Sequence, residues 1–79
     1  MATIAVISGT TLGQALKLGG LVMTGGEAKM LVADGRVKVN SGVELRRGYK
    51  VQEGDLVEVG GAVLRVSVRD REDRVRPTH

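Results

Sequence analysis

The chain opens on a short apolar run, shows apolar positions every three to four residues between residues 11 and 35, and alternates apolar with polar positions beyond Gly35. Residues 3–8 (Thr-Ile-Ala-Val-Ile-Ser) are rich in β-branched side chains and predict a short strand. From Thr11 the period lengthens. Thr11 followed by Gln14 is a capping box, in which each side chain satisfies a backbone amide that a helix start leaves without a partner. Leu12, Ala15 and Leu16 then share one helical face, and Gly19-Gly20 ends the helix. The pattern repeats with Thr24 and Glu27 as a second capping box, Ala28, Leu31 and Val32 as the apolar stripe, and Gly35 as the stop. Two short helices with a tight connection predict a helical hairpin.

Beyond Gly35 the period falls to two. Val37 and Val39 face one way, and Arg36, Lys38 and Asn40 face the other. Asn40-Ser41-Gly42 reads as a turn, after which residues 43–46 alternate again and are expected to close a hairpin. Arg47-Gly48 interrupts the alternation, residues 49–51 are extended, and residues 52–55 (Gln-Glu-Gly-Asp) form another turn. Residues 56–59 and 62–68 flank Gly60-Gly61, a two-residue hairpin signal. The expected fold is α+β, a helical hairpin packed on a small, mostly antiparallel sheet. Residues 1–68 are expected to form a single domain. Residues 69–79 carry a mixed charge run and read as a flexible tail.

A chain of 79 residues has room for one small core and buries roughly 60% of its unfolded surface. It has no cysteine, so neither a disulfide nor a thiolate metal site can reinforce that core. Packing must be aliphatic, with Tyr49 the only aromatic residue. No apolar run approaches the roughly 20 residues that cross a bilayer, and no basic leader precedes an apolar stretch. The expectation is a cytoplasmic protein with no membrane partner.

Catalytic chemistry finds little support. The lone histidine, His79, is the last residue, where nothing holds an imidazole in place. No Cys/His cluster suits zinc, and no serine has a base partner in a recognisable arrangement. Glu27 is explained as a cap and Asp55 as a turn residue. Neither the P-loop pattern nor G-x-G-x-x-G after a strand occurs. No catalytic residue, metal, cofactor or small-molecule substrate is expected.

The charge distribution says more. The net charge is +3 and the pI about 9.8, a balance that favours polyanions. Lys17, Lys29, Arg36, Lys38, Arg46, Arg47 and Lys50 make seven basic residues against three acidic ones in the same stretch. Strand alternation alone would give an Arg36/Lys38 face. It explains less well why the helix lysines join Arg46, Arg47 and Lys50. Gly25 and Gly26 open the second helix, where bare amides attract phosphate, although glycine there would equally permit close helix packing. Thr24 and Asn40 can hydrogen-bond phosphate or sugar, and Thr24 equally serves as a cap. A single aromatic residue argues against a stacking platform for single strands. It favours shape and phosphate recognition of folded RNA. A protein-interaction module meeting an acidic partner, or a DNA-binding protein, would use the same basic face.

Residues 11–59 resemble, as a unit, the S-four RNA-binding domain. The resemblance rests on Leu16-Lys17-Leu18, Gly25-Gly26-Glu27-Ala28-Lys29, Gly35-x-Val37-x-Val39-Asn40, Arg46-Arg47-Gly48 and Gly54-Asp55. It is greatest to the short stand-alone bacterial members. It implies the family's αL motif, binding of rRNA or tRNA with the ribosome as a partner, and no activity of its own. Larger members often carry Arg directly after the cap, where this chain has Gly25, which shifts weight to Lys29 and the backbone amides. Asn-Gly is the family's usual hairpin turn. Here the sequence is Asn40-Ser41-Gly42, and Gly42 is expected to take the positive φ.

Overall fold

A computed structural model describes residues 1–70. Its elements in chain order are β1 (Ala2–Ile7), α1 (Leu12–Leu18), α2 (Gly25–Ala33), β2 (Val37–Val39), β3 (Gly42–Val43), β4 (Leu56–Val59) and β5 (Ala62–Arg69). The five strands form one sheet in the order β1-β5-β4-β2-β3. All neighbours are antiparallel except β1 and β5, which run parallel with Ile4 opposite Val66. The fold is therefore α+β with a mostly antiparallel sheet. A parallel pair needs a long crossover, and here everything between β1 and β5 supplies it.

The helices cover one face of the sheet. Leu12, Ala15 and Leu16 of α1 and Ala28 and Val32 of α2 are buried against Val6, Val37, Val57, Leu64 and Val66 from the strands. Leu31 is only half-buried at the margin of this core. Gly19 lies so close to β5 that a Cβ there would overlap the Leu64 side chain. The helix can end on the sheet only because residue 19 has no side chain. The other face of the sheet is open, with Thr3, Ala5, Ile7, Lys38, Leu56 and Arg65 exposed.

The capping box at α1 is complete: Gln14 N–H donates to Thr11 Oγ1 (3.3 Å) and Thr11 N–H to Gln14 Oε1 (2.9 Å). The one expected at α2 is half-formed. Glu27 N–H donates to Thr24 Oγ1 (3.1 Å), but the Glu27 carboxylate accepts from Met23 N–H (2.8 Å), one residue before the cap. The first hairpin also departs from expectation. Val39 pairs with Gly42, so the turn consists of Asn40 and Ser41, and these two carry the positive φ angles (53° and 74°). Two-residue hairpin turns require positive φ at both positions, and asparagine tolerates it better than most residues. Strand β3 ends at Val43 instead of running to residue 46, and just beyond it the Glu44 side chain accepts from Arg46. The Gly60-Gly61 turn joins β4 to β5. Strand β5 continues through Arg69, the first residue of the expected tail. The tail expectation for residues 71–79, His79 among them, falls outside the described residues.

Candidate nucleic-acid interface

A helix leaves the amides of its first turn without intrahelical acceptors. In α1 the protein itself closes this gap. Leu12 N–H donates to the Tyr49 carbonyl (2.7 Å) and Gly13 N–H to the Arg47 carbonyl (3.1 Å), while Val51 N–H returns to the Thr10 carbonyl (3.0 Å). These bonds stitch the loop carrying Arg46, Arg47 and Lys50 onto the start of α1. The start of α2 is open. Thr24 takes Glu27 N–H on its hydroxyl and Ala28 N–H on its carbonyl, but the amides of Gly25 and Gly26 have no acceptor among the described residues. Bare amides at the positive end of a helix favour an anion.

The two helix starts and the loop meet around a shallow groove of about 270 Å³. Thr11, Gly13, Gln14 and Lys17 of the first helix region line it, with Gly25 and Ala28 of α2 and Arg47 of the loop. Lys29 stands four residues after Gly25, on the same side of α2. The structure thus brings Lys17, Gly25 and Arg47 to one groove, with Gly26 and Lys29 beside it and Thr24 as the cap of α2. Gly13 has a part in this. A Cβ there would lie 2.8 Å from Arg47 Cγ, so the missing side chain lets the arginine stem cross the helix.

Arg46 is exposed but not alone. Its Nε donates to Glu44 Oε2 (2.9 Å) and its Nη2 to Glu44 Oε1 (3.3 Å), and its guanidinium sits 5.6 Å from the centroid of the Tyr49 ring. The hydrogen bond from Arg46 holds the Glu44 carboxyl below its ordinary pKa and raises that of the guanidinium in return. Lys50 is exposed on the loop, its backbone bridged to Thr11.

The other candidates lie elsewhere. Arg36 is exposed just before β2. Lys38 projects from the open face of the sheet, opposite Glu58 on β4 and away from the helices. The Asn40 side chain is engaged within the fold: Nδ2 donates to Asp55 Oδ1 (3.0 Å) and Oδ1 accepts from Leu56 N–H (3.0 Å).

Asp55 is the one charged residue buried among the described residues. Its carboxylate accepts from Tyr49 Oη (2.8 Å), Gln52 N–H (2.8 Å) and Asn40 Nδ2 (3.0 Å). Burial acts to raise its pKa, but the hydrogen bonds from Gln52, Tyr49 and Asn40 together outweigh it and leave the carboxyl below its ordinary value. The bond to Asp55, with burial behind it, pushes the Tyr49 hydroxyl up. One carboxylate thereby ties the first hairpin turn to the basic loop.

Sequence reasoning missed Thr11, Gly13 and Gln14 as groove-lining residues and Tyr49 and Asp55 as supports of the loop. Gly13 did leave a signal, since glycine inside a short helix costs stability and marks a close approach.

A helical hairpin on a small, mostly antiparallel sheet, with Lys17, Arg47 and the open start of α2 around one groove, defines a compact α+β domain with one basic groove. The S4 domain family matches residues 7–67, and the chain belongs to that family. It is 45% identical over 51 residues to "Probable ribosome maturation protein RlbA" of Bacillus subtilis (strain 168), covering 65% of this chain and 72% of that one. It is 39% identical over 51 residues to YbcJ of Escherichia coli (strain K12), whose name proposes RNA binding, covering 65% and 73%.

Proposed function

We propose that this protein binds structured RNA without catalysing a reaction on it, and that its target is ribosomal RNA or another ribosome-associated RNA. The observation that carries the reading is the groove in which Lys17, Arg47 and the open start of α2 converge. Lysine supplies a point charge, arginine a planar fork, and the Gly25 and Gly26 amides directed donors, a set suited to successive phosphates. Lys29, Arg46 and Lys50 extend the positive surface on either side. The names of the relatives support the same reading, one citing ribosome maturation and the other RNA binding.

The experiment is a binding titration with an rRNA-derived hairpin, comparing wild type with the Lys17→Ala/Arg47→Ala double variant. Hydrogen bonds to charged groups contribute about 1.5–3 kcal/mol each, so affinity should fall at least about tenfold while the fold persists. An unchanged affinity in a folded variant would remove the groove from the interface. A DNA hairpin of matched sequence competing as well as the RNA would contradict the preference for RNA.

A further inference from the structure

The loop that borders the phosphate groove also carries a second depression, wider and more open, of about 490 Å³, lined by Arg46, Gly48, Tyr49, Lys50 and Gln52.

Its lining suits a flat, neutral group. Tyr49 offers a ring whose hydroxyl is anchored on Asp55 (2.8 Å). Arg46 offers a guanidinium plane 5.6 Å from the centroid of that ring, held by two bonds to Glu44. The Tyr49 hydroxyl is held by Asp55 and the Arg46 guanidinium is oriented by Glu44, which lowers the ordering cost of binding. Glu44 offsets part of the Arg46 charge, which leaves the guanidinium plane for stacking, while Lys50 keeps its charge for a phosphate. Gln52 adds polar recognition. Its Nε2 donates to the Lys50 carbonyl (2.9 Å), which leaves a second amide hydrogen and a carbonyl oxygen as one donor and one acceptor.

Gly48 is the most telling member. Its φ lies outside the left-handed region, and a Cβ added there would meet no atom within 4 Å. Gly48 sits in the turn closed by Tyr49 N–H on the Arg46 carbonyl (3.1 Å), and the absence of a side chain there also leaves the backbone open to a ligand.

We propose that this cleft receives a single unpaired nucleobase turned out from the RNA. The base stacks against Tyr49 and Arg46, Gln52 meets its edge, and Lys50 takes the adjoining phosphate. Arg47, next in the chain to Arg46, lines the groove, so a strand held there passes the mouth of the cleft. The proposal rests on the RNA-binding reading above and adds to it the ability to recognise where a nucleotide is unpaired, as proteins do when they stack splayed-out bases of bulges and loops.

The test uses the full chain and two RNA hairpins with the same loop, one with a fully paired stem and one with a single bulged nucleotide. Wild type should prefer the bulged hairpin by roughly tenfold, the scale of one base–aromatic stack. Gly48→Leu adds a bulky side chain at the lining of the cleft, at a position where a Cβ meets no atom of the fold within 4 Å. It should abolish that preference and leave affinity for the paired hairpin unchanged. A 2-aminopurine at the bulge should lose fluorescence on binding wild type and keep it with Gly48→Leu. Equal wild-type affinity for the two hairpins, or a preference that survives Gly48→Leu, would overturn the proposal while RNA binding stood. Binding of neither hairpin would overturn the RNA-binding reading and this inference with it.

Discussion

The side chain of Arg47 crosses the first turn of α1 at Gly13, so closely that a Cβ at residue 13 would lie 2.8 Å from Arg47 Cγ. The same pair is joined by the bond from Gly13 N–H to the Arg47 carbonyl (3.1 Å). Gly13→Ala should therefore push the arginine stem off the helix while the backbone bond survives. Alanine gains up to about 1 kcal/mol of helix propensity, which offsets part of the crowding and keeps the domain folded. RNA affinity should fall by roughly the value of one charged contact, about tenfold. An RNA titration beside a melting curve checks both halves, and unaltered affinity would show that the position of Arg47 does not matter.

Core burial predicts a graded pair of variants. Leu16 is fully buried, whereas Leu31 is half-buried at the margin of the core. Leu16→Ala should cost about 2–5 kcal/mol, a large share of the stability of so small a domain. Leu31→Ala should cost about 1–2 kcal/mol, in proportion to its partial burial. Urea denaturation of the two variants gives the order. Equal losses would mean that α2 is rotated from the orientation described.

Much of this fold was legible in the sequence. The Thr11–Gln14 capping box, the Leu12/Ala15/Leu16 stripe and the Gly60-Gly61 turn are local signals and appear where local rules put them. What escaped depends on partners far along the chain. Asn40 takes positive φ in place of Gly42 while its side chain is held by Asp55, fifteen residues on. The parallel pairing of β1 with β5 leaves no trace in either strand taken alone. Alternation put Lys38 on a polar strand face, but only the sheet order shows that this face is turned away from the helices. Arg46 was legible as basic and exposed. Its partnership with Glu44 follows from the i, i+2 spacing of an extended segment.

Asp55 predicts a pH dependence. Its folded carboxyl titrates below the ordinary value, so its contribution to stability is present above about pH 4 and is lost as pH falls through the lowered folded value. Asp55→Ala should cost about 1–3 kcal/mol at neutral pH, because the Tyr49, Gln52 and Asn40 donors lose their acceptor. The variant should also lose less stability than wild type between pH 4 and pH 2. Parallel acid profiles for the two proteins would show that the carboxylate does not hold the loop.

The most direct measurement of the phosphate-gripping account is the salt dependence of RNA affinity. Lys17, Lys29, Arg46, Arg47 and Lys50 surround the groove and cleft, and Arg46 is partly neutralised by Glu44. Four to five contacts at about 0.7–0.9 each predict that log K against log salt falls with a slope of roughly −3 to −4.5. Lys17→Ala or Arg47→Ala should make the slope shallower by about 0.7–0.9 and weaken different RNA sequences alike. Lys38→Ala, on the far face of the sheet, should leave it nearly unchanged. A shallow wild-type slope, or one that responds to Lys38 and not to Lys17 and Arg47, would contradict the assignment of the groove as the site where this protein holds RNA.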